Sequence, residues 1–266
     1  MKLACTSLMV PGKTLVEKAE KLKKWGYDGI SVFEEYSQWN ELKMDELMQL
    51  EFKTGVRPCE FVFMDDVYGH LMDQNTEIKA KAIKMYSDAI EVCKKIGAIT
   101  EMEFDLGPQD PLPLFEPYKK MSKEEEKGFL AVLNELGSIA EGSSALILLE
   151  PVNRYETKYL TTLQDCLEMI KKTDLSNVGL LPDFFHLSIE ESNIQKALRN
   201  AGPYIKHVHL GDNNRLLPGK GTIDWTASMN VLKEVEFNGF MNLECAVLGN
   251  PNEELPKAAE FLKSLL

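Results

Sequence analysis

Basic side chains are in short supply: 30 Lys and Arg stand against 42 Asp and Glu, a formal net charge of −12. That deficit speaks against nucleic acid as a partner, because affinity for it comes largely from basic residues that displace counterions along phosphates. The five cysteines, Cys5, Cys59, Cys93, Cys166 and Cys245, are odd in number and never in a C-x-x-C spacing. Neither a disulfide framework nor a zinc ribbon follows, and reduced, buried thiols are expected. No apolar run approaches the roughly 18 residues of a membrane span, and Met1–Cys5 leads into a strand pattern without a signal-peptide core. A cytoplasmic protein with no membrane partner is the expectation. A G-x-G-x-x-G turn, the mark of a dinucleotide-binding sheet, is missing too.

What is present is a repeat. A short apolar run, a loop, an amphipathic helical stretch and a turn recur, with candidate strands at 3–7, 29–33, 58–64, 100–104, 146–150, 178–183, 205–209 and 241–245. Between them apolar residues return every three or four positions, as in Leu15, Ala19, Leu22 and in Phe129, Leu133, Leu136, Ala140. Gly26, Gly97, Gly202 and Gly239 each fall between a helical pattern and the next strand, where a left-handed residue ends a helix at low cost. Strict alternation demands parallel strands, in either an open doubly wound sheet or a closed barrel. Eight units in 266 residues favour one (β/α)8 TIM-barrel domain spanning 1–266, with its site at the carboxyl ends of the strands. Two longer connections, 106–121 and 211–224, lie at that face and are candidate lids or substrate walls.

Four residues able to bind a metal or exchange a proton hold equivalent places. Glu150 ends strand five, Asp183 strand six and His209 strand seven, while Glu244 lies near the end of strand eight. One such glutamate alone would be read as a salt-bridge partner. Four on consecutive strands of a closed barrel converge instead, and the apolar run 145–149 leads straight into Glu150, where a carboxylate is costly without a cation or donor. Three carboxylates and one imidazole suit Mn2+, Mg2+ or Co2+ better than a thiolate-preferring metal.

The stretches Glu150-Pro151-Val152-Asn153-Arg154-Tyr155-Glu156-Thr157, Pro182-Asp183-Phe184-Phe185-His186, His207-Val208-His209 through Arg215 to Gly221, and Asn242-Leu243-Glu244 resemble the sugar phosphate isomerase/epimerase family. Within that xylose isomerase-like superfamily they are most similar to the ketose 3-epimerases of the tagatose and psicose type. The resemblance implies one divalent cation, Mn2+ for preference, held by Glu150, Asp183, His209 and Glu244. It implies that Glu150 and Glu244 also serve as the two acid/base groups, and that His186, Arg215 and Glu156 bind the substrate, a small sugar or polyol ketone. His207 is then supportive rather than a ligand, and a homo-oligomer, dimer or tetramer, is expected. The reaction so implied is C3 epimerisation of a ketose through a cis-enediolate. Phe184 stands where the family often has a small hydroxyl residue, and the 107–111 loop does not match the epimerase loop.

Rival reactions on the same site are a hydroxypyruvate-type isomerisation, dehydration of an inosose and cleavage of a carbon glycoside, all of which begin with proton abstraction beside a carbonyl. An apurinic endonuclease shares the superfamily fold but is disfavoured by charge and by a supply of only four histidines. A non-catalytic sugar-binding barrel has no need of both acid/base glutamates. Glu34, Glu35, Glu101 and Glu103 are read as structural, Lys220 as solvated rather than phosphate-binding, and Trp39 and Phe184 as either pocket walls or barrel filling.

Overall fold

The structure is a computed structural model that describes residues 1–112 and 119–266. Its strands are β1 (Lys2–Thr6), β2 (Gly29–Glu35), β3 (Arg57–Met64), β4 (Ile99–Met102), β5 (Leu146–Leu149), β6 (Val178–Leu180), β7 (His207–Leu210) and β8 (Phe240–Leu243). They form an eight-stranded parallel sheet in the order β6-β5-β4-β3-β2-β1-β8-β7. The edge strands β6 and β7 meet through the bridges Leu180–Ile205 and Asp183–His209, with hydrogen bonds from Lys206 N to Leu180 O and from His209 N to Pro182 O. The sheet is therefore a barrel whose last seam is thin.

Helices α1 (Leu15–Trp25), α2 (Glu41–Thr54), α3 (Thr76–Ile96), α4 (Lys123–Ala140) and α5 (Leu163–Ile170) connect the first six strands. The pair α6 (Phe184–Glu190) and α7 (Ile194–Ala201) joins β6 to β7, α8 (Trp225–Glu234) joins β7 to β8, and α9 (Pro251–Ser264) follows β8. The three-to-four spacing of apolar residues explains how they seat: Ala82, Met85, Ala89 and Cys93 of α3 and Phe129, Leu133, Leu136 and Ala140 of α4 are all buried. Polar caps start them, with Asn75 accepting from the Glu77 and Ile78 amides, and Ser122 forming a reciprocal capping box with Glu125.

Two layers of apolar packing result. The larger lies between strands and helices, while Ile99, Leu148 and Leu181 form a small separate cluster. Because a strand alternates its faces, residues two further along the same strands point the same way, and those residues are Glu101, Glu150 and Asp183. The barrel interior thus changes from apolar to acidic within one step toward its carboxyl end.

Gly26 and Gly97 end α1 and α3 in the left-handed region, and Gly202 at the end of α7 also has positive φ. Gly239 does not; the left-handed residue between α8 and β8 is Glu236. Gly239 is glycine for space, since a Cβ there would lie 2.3 Å from the Lys206 carbonyl. A methyl group would force apart the β7–β8 approach, so Gly239→Ala is expected to cost about 1–3 kcal/mol, the range for overpacking. Chemical denaturation showing no loss would mean the two strands have slack at this point.

Candidate metal centre and active site

Each predicted residue arrives at the carboxyl rim by its own local route. Glu150 follows directly on the apolar β5. Asp183 caps α6, its Oδ1 accepting from the Phe185 amide at 2.8 Å, and so is fixed by the helix it starts. One helical turn on, His186 turns back toward it, with Nε2 3.7 Å from Asp183 Oδ2. His209 and His207 share the inner face of β7, and Glu244 stands just beyond β8.

The geometry centres on the His209 ring. Its Nδ1 is 2.9 Å from Glu244 Oε2 and 3.5 Å from Glu150 Oε1. Its Nε2 is 3.1 Å and 3.2 Å from the two oxygens of Glu60. Arg215 donates one guanidinium nitrogen to Asp183 and another to Glu244 at 3.0 Å, while lying 4.8 Å over the Phe185 ring. Asn153 donates its backbone N–H to His186 Nδ1 at 3.0 Å. That contact makes Nδ1 the acceptor and leaves the proton on Nε2, facing the site. The Asn153 side chain also meets Glu156 Oε1 at 2.5 Å, and Glu156 is about half exposed, 49% at its side chain. All seven predicted positions are thereby brought to one rim.

Arg215 sits at φ +58, an unusual conformation for a residue with a Cβ. The loop that imposes it is tied to the buried carboxylate of Asp212, which accepts from the amides of Asn213, Gly219 and Ile223 and from the Trp225 indole at 2.9 Å. The 211–224 connection is a fixed wall carrying Arg215. In the 106–121 connection, residues 113–118 lie outside the described residues, and the expected lid lies there with them.

Charge is the dominant feature of the centre. Burial raises the Glu150 carboxyl above its ordinary range, against the pull of His209. Burial also raises Glu244, but His209 and Arg215 outweigh it and hold that carboxyl at about 2. For His209 burial favours the neutral ring, yet Glu60, Glu244 and Glu150 together push its pKa well up. Burial brings His207 down to about 4 in spite of Glu60, so that ring is neutral at physiological pH.

Glu150, Asp183, His209 and Glu244 each offer an atom within 4.8 Å of the others. Both Glu150 oxygens are buried and, among the described residues, without a hydrogen-bond partner, and the buried His209 Nδ1 has only carboxylates beside it, Glu244 at 2.9 Å and Glu150 at 3.5 Å. Buried carboxylate oxygens without donors are strongly unfavourable, and a hard or borderline divalent cation is what three carboxylates and one imidazole would satisfy. The donor set fits such an ion.

Comparison with known proteins bears on the fold and the family. The family model described as "Xylose isomerase-like TIM barrel" matches residues 19–265. The chain belongs to that family. Over 252 residues it is 26% identical to the 3-dehydro-D-guloside 4-epimerase of Escherichia coli K12, covering 92% of each protein. It is 35% identical to the D-psicose 3-epimerase of Enterocloster bolteae over 116 residues, 44% of this chain and only 38% of that relative's length. Among solved structures, the apo 3-keto-D-glucoside 4-epimerase from E. coli superposes with a TM-score of 0.85 at 23% identity, covering 99% of both chains.

In this xylose isomerase-like barrel, other residues join the centre that sequence reasoning passed over or placed elsewhere. Glu60, inside β3, is fully buried against His209. Glu101 and Glu103, expected to be structural, instead form an acidic group with Glu150, and Glu101 Oε2 stands 3.8 Å from His209. Glu34 does pair with a helix lysine, Lys43, as the structural reading has it. Phe184 is not a pocket wall: it is buried against Trp225, and its neighbour Phe185 is the aromatic under Arg215. Trp39 packs on Phe61 and Phe63. Lys220 is mostly exposed, 3.9 Å from Glu254.

If the four side chains hold a cation, the folded protein gains stability by mass action. Free Mn2+ at 100 times its Kd is expected to add about 2.7 kcal/mol, seen as a rise in Tm that EDTA reverses. In His209→Asn the increment should shrink sharply. An unchanged Tm on metal addition to the unaltered protein, together with no ion in metal analysis, would remove the quartet from consideration as a cation site.

Proposed function

We propose that the chain, as one barrel domain over 1–266, is a divalent-metal-dependent isomerase of the epimerase kind, inverting a carbon beside the carbonyl of a sugar. The observation that carries this is the placement of Glu150 and Glu244 about the same His209 nitrogen, on strands from different sides of the barrel, with Arg215 and His186 beside them. Glu150, Asp183, His209 and Glu244 are the proposed ligands, and Mn2+ the preferred ion. When bound, the cation supplies Lewis acidity to a ketone oxygen and the adjacent hydroxyl, making the C–H between them acidic enough for a carboxylate to remove.

The protein's own groups do the rest. One of Glu150 and Glu244 takes the proton from the carbon, leaving its electron pair in an enediolate. The other returns a proton to the same carbon from the opposite side, so the configuration inverts and the two carboxyls exchange protonation states. Arg215, kept in place by the Asp212-anchored loop, donates to the oxygen on which negative charge develops. His186 donates from Nε2, since Asn153 occupies Nδ1, and Glu156 accepts from a hydroxyl farther out. In this reading the partner is a small sugar or polyol ketone. A cytoplasmic, homo-oligomeric enzyme completes the proposal.

The resemblance to ketose 3-epimerases over Glu150–Thr157 favours C3 of a ketose as the reacting carbon. A second reading, C4 of a 3-keto-glycoside, has a specific observation behind it: the guloside 4-epimerase is matched over nearly its whole length. In both the inverted carbon is the higher-numbered neighbour of the ketone; the two differ in whether that ketone is C2 of a ketose or C3 of a glycoside. Incubation with Mn2+ in D2O across a panel of ketohexoses and 3-keto-glycosides distinguishes them by where deuterium enters. Label at C3 of a ketose supports the first, label at C4 of a keto-glycoside the second. Label only at C1 or in a dehydrated product would move the reaction to isomerisation or dehydration.

Glu150→Gln and Glu244→Gln each keep an oxygen ligand but remove an anionic base. Turnover should fall by at least about 10²-fold in each, the low end of what a positioned acid/base group contributes, while metal occupancy falls less. With metal retained, each variant should exchange the proton of one epimer only. Near wild-type interconversion by both would make these glutamates ligands alone.

A further inference from the structure

Glu60 is unexplained by the reaction just described. It is a fully buried carboxylate in the middle of a strand, between the buried Cys59 and Phe61, a place where a charge is costly. Its position is built. The β2–β3 register slips between Ile30 and Ser31, passing over Cys59, so that Ser31 pairs with Glu60. Bulges are uncommon between parallel strands and characteristically re-aim a side chain beside a site. Ser31 then donates its hydroxyl to Glu60 Oε2.

The other contacts of Glu60 are imidazoles. His209 Nε2 meets both of its oxygens, at 3.2 Å and 3.1 Å, and His207 Nε2 lies 3.6 Å from Oε2. An imidazole that coordinates through one nitrogen carries a proton on the other, and the group receiving that proton sets the tautomer and ring angle. A carboxylate can only accept here, so Nε2 of His209 must be the N–H. When a cation takes the place of the proton that Nδ1 shares with Glu244 at 2.9 Å, the lone pair of that nitrogen is directed among Glu150, Asp183 and Glu244.

We propose that Glu60 is a positioning residue for the metal centre: by accepting from His209 Nε2 it locks the ring in the tautomer and orientation in which Nδ1 is the donor to the cation. The inference rests on the reading of His209 as a ligand. It adds a residue that touches neither substrate nor cation and acts through His209. It also gives the Ser31 hydroxyl and the β3 bulge a purpose, since both aim Glu60.

The test reads metal binding without substrate, by chelator competition with Mn2+ or Zn2+, on the wild type, Glu60→Gln, Glu60→Ala and His209→Asn. One ion per chain is expected throughout the Glu60 series. Its affinity should fall by about 10–100-fold in Glu60→Ala, the usual effect of removing such a partner, and less in Glu60→Gln, whose amide oxygen can still accept from Nε2. The 15N ring shifts of His209 in Zn2+-loaded protein report the tautomer directly. Wild type should show a protonated Nε2 and a coordinated Nδ1, a pattern that Glu60→Ala loses or exchanges and a purely structural role would leave intact. Unchanged affinity and ring shifts in a folded Glu60→Ala would overturn the inference. So would two ions in the wild type and one in Glu60→Gln, since Glu60 would then be a ligand itself. Full binding by His209→Asn, by contrast, would defeat the ligand reading on which the inference stands.

Discussion

Negative charge gathered out of water is the constraint around which this barrel is arranged. Glu60, Glu101, Glu150 and Asp183 are all buried at its carboxyl end, with Glu244 at their edge, while the nearest protein cations are Arg215 and a protonated His209. Two like charges 4 Å apart repel by about 4 kcal/mol at an effective dielectric constant of 20. Several such pairs would erase the stability of an ordinary domain. Arg215 answers part of that load, and its unusual backbone geometry and the Asp212-centred loop show how much structure is committed to holding one guanidinium there. Among the described residues the oxygens of Glu150 accept no close hydrogen bond, and the nearest cation is the His209 ring at 3.5 Å. A divalent cation resolves the same imbalance that makes the cluster expensive, which is why the charge and the proposed chemistry have one origin.

The fold places this burden on its thinnest seam. Six strand pairs run in register over three residues or more and β3 meets β4 at Glu60–Ile99, but β6 and β7 meet only in isolated bridges outside the strand ladders, one of them between Asp183 and His209. Two proposed ligands therefore face each other across the gap where closure is weakest. A cation shared by them adds a cross-link at that point, so binding and barrel closure reinforce one another. Short β6 also releases the chain early enough for Asp183 to cap α6, and the first turn of that helix delivers His186 to the rim.

Much of this was legible from residue order. Eight strands could be placed because apolar runs alternate with three-to-four periodic helices, and the proposed ligands stood out because each apolar run ends in an acid or histidine. Glu60 was hidden for a physical reason. It interrupts an apolar strand whose inward face is set by a bulge, and a register slip leaves no trace in the spacing of residues. Glu101 and Glu103 share a face whichever way β4 is turned, and only closure of the barrel decides that the face is inward. Phe184 and Phe185 are adjacent aromatics at a helix start, where the rotation of the first turn buries one under Trp225 and sends the other beneath Arg215. Gly239 sits at the expected turn for a different cause, the proximity of the Lys206 carbonyl rather than a left-handed backbone.

In the proposed reaction the ligand set serves proton transfer beside a carbonyl, but it does not choose the carbon. That choice belongs to groups that fix the remaining oxygens. Asn153 leaves His186 a single donor, so the oxygen opposite Nε2 must accept. Arg215 can only donate and, stacked on Phe185, cannot follow a substrate that shifts by one carbon. Glu156, half exposed, can only accept, and it sits toward solvent, where there is room for either a free hydroxyl or a longer substituent of a sugar. On the proposed reading, discrimination between C3 of a ketose and C4 of a keto-glycoside rests on whether a sugar oxygen lies opposite His186 Nε2 and Arg215 when the reacting carbon is in place, because a buried donor such as His186 left unpaired costs more than a small difference in shape between two sugars.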